Sequence, residues 1–219
     1  MINAISTVKM PRDKWLALRR RGIGGSDMGK ILGVSEWGTA VDVWLEKTGR
    51  KAAEPENVAM WIGRELEDAV ARRYADEKCV RVVRHNFLLW DDENHIVGNL
   101  DRLVQEYASA RPAYRGEVRT PVALEVKTSG GAPWAEVPEH YKAQVHTYMA
   151  LAPSIMHFDL AVLFYGMAKE FRVFSEPRDD DIVAGLRMRC REWWERHVVG
   201  DAAPEPVCED DCRNLWGAS

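Results

Sequence analysis

Residues 122 to 128, VALEVKT, are apolar or β-branched at every position except two, and those two, Glu125 and Lys127, carry opposite charges. A run of this kind, starting just after Pro121, reads as a strand inside a sheet. Alternate residues of a strand share a face, so Glu125 and Lys127 point to one side and Val126 to the other. A carboxylate in such apolar company is costly to bury unless a cation or hydrogen bonds meet it. The fold must therefore bring a partner to Glu125. Upstream, HIVGNLDRLV (95 to 104) alternates apolar residues around Asp101 and reads as a second strand, joined to the first across a charged, Arg-rich loop at 107 to 120 that is long enough to have a role in contacts.

Two carboxylates and one lysine suit one chemistry well. Hydrolysis of a phosphodiester builds negative charge on the phosphoryl oxygens and on the leaving group, which divalent cations stabilise while activating water. Magnesium takes oxygen ligands, commonly one or two carboxylates with water and substrate phosphate completing its shell. Asp101 and Glu125 supply such carboxylates, and Lys127 reaches the same phosphate or water. A solvated E-x-K face, or a plain ion pair, is the competing reading of the triplet.

Three further blocks bear on function. GIGGSDMGKILG (22 to 33) reads as a glycine loop running into a helix capped at Ser26 or a neighbour. Glycines and free N–H groups at a helix start suit a phosphate, and Arg19, Arg20 and Arg21 lie just upstream. The loop lacks the lysine-serine or lysine-threonine ending of a P-loop and the strand before it, so a nucleotide-binding role ranks last. Residues 60 to 78 read as a helix whose apolar stripe contains Trp61, Ile62, Leu66, Ala69, Val70 and Tyr74, with Glu67 off its centre. In YKAQVHTYMA (141 to 150), Tyr141, Val145 and Tyr148 make a helical stripe bordered by Gln144, and His140 and His146 are expected at the surface or edge.

The element order is helices near 11–20, 26–33, 39–48 and 59–78, strands near 80–90, 95–104 and 121–127, a helix near 139–151, strands near 156–165 and 169–174, and a last helix near 178–199. This is an α/β fold, a mixed central β-sheet flanked by helices. Residues 1 to 200 are expected as one domain and 201 to 219 as a frayed C-terminal tail. No apolar run is long enough to span a bilayer and the start lacks a signal-peptide core, so a cytoplasmic protein is expected. Cys208 and Cys212 form a C-x3-C pair, but with Cys79 and Cys190 far off in sequence they fall short of a four-thiolate cluster. The formal charge of −4 argues against a uniformly basic nucleic-acid module. Its distribution argues back: residues 8 to 30 carry Lys9, Arg12, Lys14, Arg19, Arg20, Arg21 and Lys30 against only Asp13 and Asp27, so a local groove can be positive on an acidic body.

Taken in order, WLALRRRGIGGSDMGKILGVSEW (15 to 37), WIGRELEDAVARRY (61 to 74), GNLDRLV, LEVKT and YKAQVHTYMA resemble the PD-(D/E)xK nuclease superfamily and, within it, the phage lambda exonuclease or YqaJ-like viral recombinase family. The superfamily's proline is absent before Asp101, where Asn99 and Leu100 stand. The resemblance implies a restriction-endonuclease-like core. It implies Asp101, Glu125 and the Val126 carbonyl as ligands of Mg²⁺, for which Mn²⁺ substitutes, with Lys127 as the lysine that orients or activates water. Glu67 would lie close to the metal as an outer ligand, Gln144 would border the active site, and Arg19 and Ser26 would hold a terminal 5′-phosphate. It also implies a ring-shaped homotrimer on double-stranded DNA ends, a 5′-to-3′ exonuclease activity that leaves 3′ overhangs, and a single-strand annealing protein as partner, in a phage or prophage setting. An endonuclease or repair nuclease of the same superfamily, and a non-catalytic DNA-binding module, are the alternatives.

Overall fold

The computed structural model describes residues 1–51, 57–105 and 116–217; most of the expected loop at 107 to 120 lies outside them. Strands β1 (Ile2–Ser6), β3 (Phe87–Asp91) and β4 (Ile96–Asn99) form a three-stranded antiparallel sheet in the order β1-β3-β4. Strands β2 (Arg81–Arg84), β5 (Arg102–Gln105), β6 (Val122–Ser129), β7 (His157–Phe164) and β8 (Glu170–Pro177) form a second sheet in that order. It is mixed: β6 and β7 run parallel, and the other neighbours run antiparallel. The expected strands at 80–90 and 95–104 are each divided in two. Both bend midway and pass from one sheet to the other, the second of them at Leu100 and Asp101, so that β2 pairs with β5 and β3 with β4.

The parallel pair requires a crossover, and helix α5 (Glu139–Leu151) supplies it. From Ala143 to Leu151 every residue of α5 is buried, because the sheet covers one side and α2 (Gly25–Ile31) and α6 (Asp180–Trp193) pack on the helix as well. His146 is therefore a core residue and not a surface one: it is 1% exposed, its Nδ1 2.9 Å from the Lys142 carbonyl. Side chains of the mixed sheet divide by alternation. Ala123, Leu160, Val162 and Phe164 join the core on the α5 side, and Leu124, Val126 and Ala161 join Val70, Ala71 and Tyr74 of α4 (Val58–Lys78) on the other.

Helix α4 is capped at its start by Asn57, whose Oδ1 accepts the Met60 N–H at 2.9 Å, and ends at Cys79 in the left-handed conformation. Only its middle lies on the sheet. Trp61, expected in the apolar stripe, is 50% exposed, because the first turns of α4 lie outside the packed stretch from Leu66 to Tyr74. Helices α1 (Arg12–Arg19) and α3 (Ala40–Lys47) precede it.

The expected frayed tail contains a helix. After α6 the chain makes a π-helical turn at Trp194–Val199, and α7 spans Glu209–Trp216. Asp211 of α7 is 1% exposed, accepting the Thr39 hydroxyl at 2.6 Å and the Val207 N–H at 2.9 Å. Acidic residues clustered after Glu205 look solvated in sequence, yet one of them satisfies two donors inside the fold.

Candidate active site

The β5–β6 ladder ends at Arg102 opposite Leu124, while β6 continues to Ser129. Where the strands part, a side chain replaces the missing backbone partner: Asp101 Oδ2 accepts the Val126 N–H at 3.1 Å. Asp101 is thereby drawn to the exposed edge of β6 beside Glu125. Glu125 itself is 3% exposed and points with Lys127 toward α5, as their spacing predicts. Its Oε1 meets Lys127 Nζ at 2.8 Å and accepts from Gln144 Nε2 at 2.7 Å; Lys127 Nζ also donates to Gln144 Oε1 at 3.1 Å. Tyr148, one helical turn beyond Gln144, accepts from the same Nε2 at 3.3 Å.

Glu125 Oε2 is buried and has no hydrogen-bond partner among the described residues. A bare carboxylate oxygen in such a place is unfavourable by itself and marks a missing electropositive partner. Burial, then the Glu125 charge, push the Asp101 carboxyl up to about 8, with Glu67 adding to the effect and Lys127 and the Val126 N–H opposing it. Lys127 is raised as well, which for an amine favours the charged form. Burial disfavours its ammonium, but Glu125, Tyr141 and Asp101 more than offset this and hold it protonated above the ordinary lysine range. In that state the lysine donates hydrogen bonds and positive charge; it does not accept a proton.

The donor set fits a hard divalent cation. It consists of carboxylate oxygens, one of them enclosed and unpartnered, at a point where two acids repel. Among the described residues no three His, Cys, Asp or Glu side chains gather as a metal-holding group, so the carboxylates of Asp101 and Glu125 are the acidic donors the site offers.

Glu67 reaches this neighbourhood from α4 but is engaged: its Oε1 accepts from Arg102 at 2.6 Å. Arg102, 4% exposed, also contacts Asp68 Oδ1 at 2.6 Å and the Asp101 carbonyl at 2.7 Å, and Arg84 shares Asp68 at 2.6 Å. Sequence reasoning missed Arg102. The signal was present, since an arginine inside the apolar run LDRLV raises the same question as Glu125 in VALEVKT.

Arg19 and Ser26 are brought together, the guanidinium donating to Ser26 Oγ at 3.4 Å while lying 5.0 Å from the centre of the Trp15 ring. The cap of α2 is Gly24 and not Ser26: the Asp27 carboxylate accepts the Gly24 N–H at 2.8 Å, which leaves the Ser26 hydroxyl outside the cap. Asp27 is buried against Lys47 Nζ at 2.7 Å, a pair not foreseen from sequence. The glycines of this loop serve packing. A Cβ on Gly25 would lie 2.7 Å from the Tyr148 ring, and one on Gly98 2.8 Å from it, so both allow Tyr148 its place beside Gln144. Tyr148 thus stands between Gly25, next in the chain to Ser26, and Gln144, which bonds to Glu125.

A family model described as the YqaJ-like viral recombinase domain matches residues 14–154, which include every residue of the site. The chain belongs to the YqaJ-like viral recombinase family. A Bacillus subtilis relative, the uncharacterised protein YqaJ, is 34% identical over 204 residues, covering 90% of this chain; the chain spans 59% of that relative's length. Among solved structures it is similar in fold to the alkaline exonuclease of Laribacter hongkongensis, at TM-score 0.60 and 16% identity over 86% of this chain and 93% of that one. It is also similar to a phage-related exonuclease from Haemophilus somnus 129PT, at TM-score 0.57 and 12% identity over 86% and 100% of the two chains. The mixed sheet flanked by helices is thus the lambda-exonuclease-like, restriction-endonuclease-like fold.

Proposed function

We propose that this YqaJ-like protein is a Mg²⁺-dependent exonuclease that digests the 5′-ended strand of linear double-stranded DNA and leaves a 3′ single-stranded overhang. The observation that carries the reading is the unpartnered Glu125 oxygen beside Asp101, with a protonated lysine on the same carboxylate. The family, and the exonucleases that share the fold, support it.

Asp101, Glu125 and the Val126 carbonyl would hold Mg²⁺, with Glu67 as an outer ligand through water. When bound, the ion supplies Lewis acidity toward the phosphate and makes water a better nucleophile. The chain's own residues do the rest. Arg19 and Ser26 grip the terminal 5′-phosphate, the guanidinium offering paired donors and the hydroxyl one more. Gln144 fixes the rotamers of Glu125 and Lys127 by bonding to both. Lys127 orients the attacking water by donation and offsets charge on the phosphoryl oxygens. Overhangs of this polarity feed strand annealing, so the partner is a single-strand annealing protein, in the cytoplasm of a bacterium carrying the phage or prophage. A ring-shaped homotrimer would let the basic residues of the N-terminal third line a channel for the duplex.

The test is digestion of linear and closed circular duplexes with Mg²⁺ or Mn²⁺ and with chelator, using strands labelled at either end. Loss of label from the 5′ end of linear DNA only, and only with metal, is expected. Cutting of the circle would favour an endonuclease, and binding without release of nucleotides would favour a non-catalytic module.

A further inference from the structure

Beside Lys127 lies a group of aromatic rings that the metal and phosphate roles leave unused. The Lys127 ammonium sits 4.6 Å from the centre of the Tyr141 ring. Tyr141 adjoins His140 at 4.1 Å, and Trp37 meets both, edge to face with His140 at 4.7 Å and tilted to Tyr141 at 5.9 Å. Trp37 is 61% exposed. A lone exposed tryptophan is ordinary, but this one is the outer member of a ring cluster continuous with the catalytic lysine.

Its position is set by the fold. Gly29 of α2 lies so close to α5 that a Cβ there would be 2.9 Å from His140 Cβ, which brings the loop after α2 onto the start of α5. That loop is tied back by the Val34 and Ser35 N–H groups, both donating to the Gly29 carbonyl, and the Trp37 N–H donates to Ser35 Oγ at 3.2 Å. The ring is thus presented on a fixed mount, with little ordering cost on binding. The chemistry of the surroundings selects a flat, uncharged group. Burial holds the His140 imidazole below its ordinary value, so it is neutral at physiological pH, and Glu36 next door repels phosphate. With 4.6 Å from Lys127 to the Tyr141 ring and 5.9 Å from there to Trp37, the Trp37 ring is at most about 10.5 Å from the ammonium, the reach of a nucleotide or two once a strand leaves its helical stack.

We propose that Trp37, backed by His140 and Tyr141, is a stacking platform for one unpaired nucleobase of the strand whose phosphate lies at Lys127. This rests on the nuclease reading above and adds the means by which the last base is kept out of the duplex. Stacking on an aromatic ring accepts any base, so the platform imposes no sequence preference.

The test measures affinity by fluorescence anisotropy, with Ca²⁺ in place of Mg²⁺, for a 5′-phosphorylated duplex end with two unpaired 5′ nucleotides, intact or abasic at both. Trp37→Ala is expected to weaken binding of the intact end about tenfold, about 1.4 kcal/mol, and Trp37→Phe to restore most of it. The abasic end should bind wild type about as weakly, with no further loss in Trp37→Ala. Equal losses by Trp37→Ala on intact and abasic ends, or no loss on either, would overturn the platform. The outcomes separate the two readings: DNA bound with the expected base dependence but never digested with Mg²⁺ sinks the nuclease and keeps the platform, whereas digestion without base dependence does the reverse. Absence of any DNA binding sinks both.

Discussion

Glu125 is held at one oxygen and bare at the other, and most of the site's behaviour follows from that asymmetry. Lys127 neutralises the held oxygen; removing it leaves a buried carboxylate whose remaining partner among the described residues is Gln144. Lys127→Ala is expected to lower single-turnover digestion about a hundredfold or more while DNA affinity changes little, as measured by product release and by binding in Ca²⁺. Turnover near wild type would remove the lysine from the mechanism. Asp101 gives a pH signature. Its folded value, raised to about 8 from an ordinary carboxyl near 4, means that its contribution to stability is complete below about pH 4 and is lost as pH climbs toward 8. Divalent cations require the ionised form, so the Mg²⁺-induced rise in melting temperature should grow between pH 5.5 and 8.5. Asp101→Asn should flatten that dependence, and a cation effect independent of pH in the wild type would contradict the assignment.

Elements place these residues where single side chains could not. Leu100 and Asp101 fall where the chain leaves one sheet for the other, and Arg102 then ties the start of β5 to α4 through Glu67 and Asp68. Alternation made the shared face of Glu125 and Lys127 readable in sequence, because that property depends only on the strand period. The splitting of strands 80–90 and 95–104 was not readable, since a bend between sheets depends on what each half pairs with. At the α1–α2 junction, Arg19→Ala should erase most of the preference for 5′-phosphorylated over 5′-hydroxyl ends, seen as a ratio of digestion rates on the two substrates. An unchanged ratio would move the phosphate contact to Arg20 or Arg21. Helix α7 is a further element that sequence concealed, because the acids around Asp211 hide one that is buried. Asp211→Ala should cost about 1–3 kcal/mol in urea denaturation, as the Thr39 hydroxyl and the Val207 N–H lose their acceptor.

For the whole molecule, charge and assembly are linked. A chain with a formal charge of −4 binds DNA only where basic residues cluster, and in the proposed ring those of the first thirty positions would face a shared channel. Sedimentation or light scattering should give about three times the mass of the 24.9 kDa chain, with DNA affinity falling steeply as salt rises. A monomer that digests processively would remove the ring from the account. Among the described residues no helix is long and apolar enough to cross a membrane.

Local periodicity by itself determined that α5 is a helix, that Glu125 and Lys127 share a side of β6, and that an acid in so apolar a strand requires a partner, because each depends on neighbours a few residues apart. Only tertiary structure decided which partners meet it. Gln144 and Tyr148 from the crossover helix, Asp101 at the sheet junction, and the rings of Trp37, His140 and Tyr141 beside Lys127 are distant in sequence, and their meeting is set by long-range packing that no local pattern encodes.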